Sequence, residues 1–562
     1  MTTTQQPTAP AAASGAQPVV RRAHIGSYVL ETLTVGMYGE PRHAIREYIQ
    51  NAYDSIRRAR RSKWLEPAKG SVTITLDDLA STLTIEDDGT GISAATAWSV
   101  LSSVGASSKD RRQQAGFRGI GRLAGIAYCD ELRFVTKYAG ETTETTVTFD
   151  CVRLRAAMDP DRSAGEDIQD LLAAAVTDKP RAVPPSEAPS HYMRVIMDGL
   201  SEAPEEITDV ALLRTYLVQT SPADFNKDFP FTERIRALAI DAGQPLEPIE
   251  INLVHRRIDE GGQTEDGLDV ADDPLEEVGS GYGAPPQPAI TIDTYEIRKP
   301  YLSSVKPANR NAVKLQNIRG IRDEATPPKW WGWIGTHQVL GALTDEGRGL
   351  RVRVRDIQID GTVITDGMFA SIRPTYARFN EWHIGEIHVV CADAIPNARR
   401  DGFEENATWL AIQAELSPTL KDLASKTYKA SSGRSKIKKL AEKVETYLAA
   451  ASQAIGPTIT MDEQQELIAE ARVVSGEIAD AASQDLISAE DAEALTALTA
   501  RVNSTRRRIE DVEVVRPGET AITMSPADAM SVVYETLADM LDPALYRRVR
   551  RRIEEELARR QT

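Results

Sequence analysis

The sequence predicts an α+β chain: a mixed α/β sandwich first, a second α/β segment after it, and a helical region at the C-terminal side. Three observations predict it. Between residues 27 and 200, alternating runs such as SVTITLD and TLTIEDDG interleave with helix-period stretches, but without the regular βαβ spacing of a doubly wound sheet. From about 288 to 425 a second mixture of strand-like runs follows. Beyond residue 430 the chain is rich in Ala, Glu, Lys and Leu, with Ile437, Leu440, Val444 and Leu448 at helical spacing.

Taken in order, residues 1–22 are polar and rich in Pro and Ala, without a basic stretch leading into an apolar one, so a disordered tail is expected and not a secretory signal. Pro41 suits the first turn of a helix reaching about Trp64. SVTITLDDLASTLTIEDDG reads as two strands joined by a short turn. ELRFVTKY and TTETTVTFD read as a second hairpin turning at Gly140, and YMRVIMDGL as a further strand. Helices from about 210 to 240 and the strand IEINLV close a first domain, 23–255. An acidic, Gly-rich stretch at 256–287 reads as a flexible loop. The second domain, 288–428, carries strand signals in AITIDTYEI, KWWGWIGT, GLRVRVRDIQID and GEIHVV. Long helices, a coiled-coil pattern among the options, occupy 429–512, and a terminal helical segment 513–562.

Hydrophobic residues make up 41% and charged residues 27% of the 562, a composition with ample material for cores. No apolar run of about 18 residues suggests a membrane span. The three cysteines, Cys129, Cys151 and Cys391, are odd in number and lack metal-ligand spacing, which fits a reducing cytoplasm. A formal charge of −17 argues against a chain coated in nucleic acid, although KTYKASSGRSKIKK and YRRVRRR are locally basic.

Three short motifs carry the chemistry. In REYIQNAYDSIRRARR, Glu47, Asn51 and Asp54 fall at i, i+4 and i+7 and so share one helical stripe beside apolar Ile45, Ile49, Ala52 and Ile56. The neighbouring Arg57, Arg58, Arg60 and Arg61 read as a solvated face. In TIEDDGTGIS, Asp87 ends a strand ahead of Gly89 and Gly91, where backbone can approach a flat ligand and a carboxylate can accept a hydrogen bond from an exocyclic amine such as that of adenine. In GFRGIGRLAGIA, Gly116, Gly119 and Gly121 precede an apolar run, and such glycines expose N–H groups that cradle phosphates. No Lys-Ser or Lys-Thr comes after them, so this is not a P-loop. With ATP between Asp87 and the glycine turn, Asn51 offers a side-chain oxygen to Mg²⁺, and Glu47 could orient and deprotonate a water.

The set EYIQNAYD, DDGTG and GFRGIG resembles the Bergerat-fold (GHKL) ATPases: gyrase, MutL, the heat-shock-protein-ninety (HtpG-like) chaperones, MORC proteins and histidine kinases. The resemblance covers about 27–425 and implies an ATP-hydrolysing, Mg²⁺-dependent enzyme built on a Bergerat-fold sandwich with a transducer-like middle domain. It implies Glu47 as general base, Asn51 as Mg²⁺ ligand, Asp87 on the adenine amine, and Gly116, Gly119 and Gly121 in the ATP lid. Asp54, Gly89, Gly91, Arg118 and Ile120 join the ATP-binding positions, with Lys109 of GASSKD just ahead of the lid. GEIHVVCADAIPNARRDGFEE resembles the chaperone middle domain, where an arginine reaches the γ-phosphate. Arg400 is the match and Arg399 the fallback. Departures are a short interval from Lys109 to Gly116, the insertion near 258–287, and Tyr192 and Met193 where the family places a threonine.

The branch implied is a divergent bacterial member of the chaperone type: a cytoplasmic conformational switch closing as a homodimer, serving a protein client or operon partner, with no membrane. Against it stands a MutL- or MORC-like clamp that handles nucleic acid, in a bacterial defence setting, and a scaffold that binds nucleotide without hydrolysing it. Retention of Glu47 argues against the last.

Overall fold

The computed structural model describes residues 26–33, 40–104, 121–159, 167–258, 290–308, 311–337, 341–359, 361–397, 399–455, 459–483, 489–515 and 525–561. Two compact units divide the chain, residues 1–428 and 429–562.

The first unit is built around an eight-stranded sheet. Its strands are β1 (Ser71–Asp77), β2 (Thr82–Asp87), β3 (Glu131–Lys137), β4 (Thr143–Asp150), β5 (Val176–Ala182), β6 (Tyr192–Asp198), β7 (Glu250–Ile258) and β8 (Ile290–Glu296), in the order β5-β4-β3-β6-β2-β1-β7-β8. Both expected hairpins form: β1 with β2, and β3 with β4 through Gly140 at φ +85°. The β1–β7 pair is parallel and the other pairs are antiparallel.

Helix α1 (Arg42–Arg61) lies on this sheet. Ile45, Tyr48, Ile49, Ala52 and Ile56 enter the same core as Val72 and Ile74 of β1 and Leu83 and Ile85 of β2. A helix resting on a sheet ordinarily keeps one face in water. Here Arg46, Glu47, Gln50, Asp54 and Ser55 are buried as well, and groups from residues 355 and 400 lie against that polar stripe.

Two elements differ from expectation. Residues 290–296 belong to the first sheet, paired with β7 along its edge, and not to the second. Strand β5 carries no strand signal, because Pro180 and its charged neighbours are tolerated only where one side of a strand is open.

The second α/β body has a five-stranded sheet: β9 (Asn317–Arg322), β10 (Trp330–Thr336), β11 (Gly349–Val354), β12 (Ile357–Gln358) and β13 (Ile384–Val389), in the order β9-β10-β13-β11-β12. Helix α2 (Val363–Ile372) and the first part of helix α3 (Ala407–Ala454) cover it, joining Phe369, Trp409, Ile412 and Leu416 to Leu350, Val352 and Ile387. It is fastened to the first sheet by buried charge. Lys299 Nζ, just past β8, meets Asp356 Oδ1 at 2.6 Å and Glu386 Oε2 at 3.2 Å. Arg353 also pairs with Glu386 and donates to Gln219 O (2.9 Å) and Ser221 O (3.3 Å) at the end of helix Val210–Thr220. Arg353 and Lys299 hold the Glu386 carboxyl well below the usual range against the opposing effect of burial. Asp356, Glu386 and His388 are spaced closely enough to hold a metal ion, but the Lys299 ammonium already fills that role.

In the second unit, the last turns of α3 pack with helices Met461–Ala482 and Ala489–Glu510 through Val444, Tyr447, Val474, Ile478 and Val502. Thr460 and Glu463 form a reciprocal capping box at the start of Met461–Ala482. Helices Pro526–Met540 and Pro543–Gln561 complete it. Among the described residues, no helix is long and apolar enough to cross a membrane.

Candidate functional site

Strand alternation places Asp87 on the core face of β2. Leu83, Ile85 and Asp87 are successive odd positions, and all three are buried. A carboxylate there is costly unless satisfied. Its Oδ1 accepts the Gly89 N–H at 2.9 Å. Burial nevertheless raises its pKa from the usual 3.8 to about 7; the Gly89 bond, Arg58 and Ser55 pull the other way. Asp88, by contrast, turns to β1 and accepts from Ser71 N (2.8 Å) and Ser71 Oγ (3.0 Å). The aspartate aimed into the interior is therefore Asp87.

Gly89 and Gly91 are required by space. A Cβ at Gly89 would lie 2.3 Å from Ser55 Oγ of α1. Gly91 has φ +62°, and a Cβ there would meet the Lys137 carbonyl oxygen at 2.1 Å. The backbone is thus drawn tight between α1 and the end of β3. Thr136 on β3, buried, accepts the Ile92 N–H at 2.7 Å and shares the Met193 row with Asp87. Thr136 is a buried hydroxyl on the Asp87 row that the sequence did not reveal, since only sheet register brings it there.

Glu47 lies on α1 four residues before Asn51 and seven before Asp54, as the helical spacing requires. Tyr48, beside it, fixes the chain just beyond the glycine turn. Its hydroxyl donates to Arg122 O (3.1 Å) and accepts from Gly125 N (2.9 Å), pinning the 3-10 turn Gly121–Ala127 to the helix. Gly121 is consequently pressed onto the glutamate: a Cβ there would sit 2.1 Å from Glu47 Oε2. Lys109, Gly116, Arg118, Gly119 and Ile120 lie outside the described residues.

The second body reaches the same helix at two points. Arg400 Nε lies 2.8 Å from Glu47 Oε1, both side chains at 10% exposure or less. That oxygen has no aligned hydrogen bond, so the contact is an ion pair set by proximity and not by N–H direction. Of the two adjacent arginines, Arg400 is the one facing Glu47; Arg399 instead offers its carbonyl to Arg46. Seven residues along α1, Arg355 of the β11–β12 turn is pulled below its ordinary pKa by burial, with the Asp54 carboxylate opposing. Arg355 and Asp356 at φ 51° and 64° form the tight turn that presents it.

The arginines after Asp54 are not a solvated face. Arg57 pairs with Glu247, and Arg60 donates to Lys69 O, Glu247 O (3.2 Å) and Pro248 O (2.9 Å). Arg58 is half-buried near Asp54 and Asp87, and only Arg61 is exposed. Arg57 and Arg60 stitch the C-terminal turns of α1 to the segment entering β7.

The chemistry of these groups suits a purine nucleoside triphosphate. The buried carboxylate of Asp87 can accept from an amine; Asn51, half-buried on the Glu47 stripe, carries an amide oxygen of the kind Mg²⁺ takes; Glu47 and Arg400 set a carboxylate and a fixed positive charge side by side. Residues 39–171 match the family of histidine kinase-, DNA gyrase B- and HSP90-like ATPases. No curated protein matches the chain. The matched segment holds Glu47, Asn51, Asp54, Asp87, Gly89, Gly91 and Gly121, and it ends well before Arg400. It is similar to a GHKL ATPase domain, whose activity is ATP binding and hydrolysis, typically with Mg²⁺, and its mixed α/β architecture fits that fold.

Proposed function

We propose that this chain is an Mg²⁺-dependent ATPase whose catalytic centre is completed by its own second α/β body, working as a conformational switch of the heat-shock chaperone type. The observation that carries the reading is the Arg400–Glu47 contact at 2.8 Å across 353 residues of sequence. A base alone would serve a self-contained hydrolase. An arginine delivered from another body makes hydrolysis conditional on how the two bodies are docked.

In this mechanism Asp87 accepts from the adenine amine. Asn51 would hold Mg²⁺, which supplies charge neutralisation on the phosphates. Glu47 orients the attacking water and takes its proton, while the Arg400 guanidinium stabilises charge on the terminal phosphate. Gly89, Gly91 and Gly121 keep backbone close where side chains would intrude. Dimer closure through the C-terminal helices is part of the same proposal, since among the described residues helix Pro526–Met540 has none that is buried. A nucleic-acid clamp is the second reading; in helix Pro543–Gln561, Arg550, Arg552 and Arg559 lie beside Glu554, Glu555 and Glu556, as on a solvated helix face of mixed charge.

Phosphate release by the full chain tests the reading. Arg400→Ala is expected to lower kcat by on the order of 10³ with little change in nucleotide affinity. Turnover unchanged by that substitution removes the second body from the catalytic centre.

A further inference from the structure

Arg46 precedes Glu47 on α1 and is buried at 2% exposure. Buried arginines are usually paired with carboxylates. Among the described residues Arg46 makes no such pair. Its guanidinium donates instead to two backbone carbonyls of the second body, Arg399 O at 2.9 Å from Nη2 and Arg400 O at 3.4 Å from Nη1. These are the carbonyls at the tip of the loop that carries Arg400.

That loop fixes its base and the Arg400 N–H, which donates to Asn397 O at 3.2 Å, but it leaves the Arg399 and Arg400 carbonyls to Arg46. Asn397 N–H donates to Gly402 O (3.0 Å), Glu404 N–H to Ile395 O (2.8 Å), and Asn397 Nδ2 to Asp401 Oδ1 (2.6 Å). Arg400 itself is held at φ 56°, a left-handed conformation that a side-chain-bearing residue adopts only when its surroundings enforce it. Two contacts meet that backbone: the loop's own Arg400 N–H bond to Asn397 O and, from the other body, the Arg46 guanidinium, a charged donor to the carbonyls of both Arg399 and Arg400. Hydrogen bonds from a charged donor are the stronger class.

We propose that Arg46 is a positioning residue for hydrolysis. It reads the arrival of the Arg400 loop through its backbone and sets the Arg400 side chain beside Glu47. Adjacent residues of one helical turn thus divide the work, Arg46 holding the main chain of the incoming loop and Glu47 receiving its side chain. The proposal rests on the ATPase reading. It adds that docking of the second body is sensed by a residue of the first, and that Arg46 acts only through Arg400.

A double-mutant cycle on the full chain tests it, with steady-state phosphate release for kcat and a fluorescent ATP analogue for affinity. Arg46→Ala alone is expected to lower kcat at least tenfold and change analogue affinity less than threefold. In an Arg400→Ala background the same substitution is expected to change kcat less than twofold, because nothing remains to be positioned. Arg46→Lys keeps a donor that can reach one carbonyl and should recover part of the lost kcat. If Arg46→Ala fails to bind the analogue, the cycle is closed with Arg46→Lys, which retains the buried charge. Independent, multiplicative losses in the two backgrounds overturn the proposal while leaving the ATPase reading intact. A wild-type chain that releases no phosphate overturns both.

Discussion

Replacing Asp87 by asparagine should make the nucleotide-free protein more stable at pH 8 while weakening nucleotide binding. The carboxyl is buried at 4% exposure, and its pKa rises from 3.8 to about 7 on folding, chiefly through burial. That difference corresponds to about 4 kcal/mol. The native state holds the proton more tightly than the unfolded chain, so the associated stability is fully present below about pH 3.8 and is lost as pH rises through about 7. An asparagine keeps an oxygen for the Gly89 N–H and never ionises. The wild type and the variant should therefore be similar near pH 4. They should diverge between pH 4 and 7, and differ at pH 8 by roughly 2–4 kcal/mol in favour of the variant. Tryptophan fluorescence during urea unfolding reads this, since all seven tryptophans lie in residues 1–428. Affinity for Mg·ADP, measured by calorimetry, should fall at least tenfold in the same variant. A variant no more stable than wild type at pH 8, with a gap independent of pH, would refute the placement of this carboxylate in an apolar interior.

Gly121→Ala should leave the fold intact but lower kcat at least tenfold, because the new Cβ, 2.1 Å from Glu47 Oε2, displaces a side-chain carboxylate and not backbone; a wild-type kcat would show that Glu47 need not sit where it does. Glu386→Ala leaves Lys299 and Arg353 buried without their shared carboxylate and should destabilise the first unit by about 3–5 kcal/mol. An unchanged urea midpoint would mean that the two sheets are held together by something else.

How much of this was legible in sequence depended on how local the cause is. Strand alternation and the pair Gly89 and Gly91 pointed to Asp87, but its choice over Asp88 rested on the family resemblance; helical spacing alone aligned Glu47 with Asn51 and Asp54. Arg400 was legible only through family resemblance, since nothing in NARRD says which residue 353 positions earlier it will meet. Arg46 and Arg355 gave no signal at all: an arginine on a helix and an arginine in a turn are ordinary until a second sheet is docked beside them. The same reason explains Arg57 and Arg60, whose partners at 247–248 come from a distant segment. Strand β8 alternates identically whichever sheet it joins, so its pairing with β7 was not readable from Ile290–Glu296.

The central claim is that Glu47 is the base of an ATP-hydrolysing site that also takes Arg400. Phosphate release and ATP binding by the Glu47→Gln chain, measured beside the wild type with Mg²⁺ present, test it most directly. The variant is expected to bind ATP with near wild-type affinity and to release essentially no phosphate. Equal turnover by the two proteins, or no ATP bound by either, contradicts the claim.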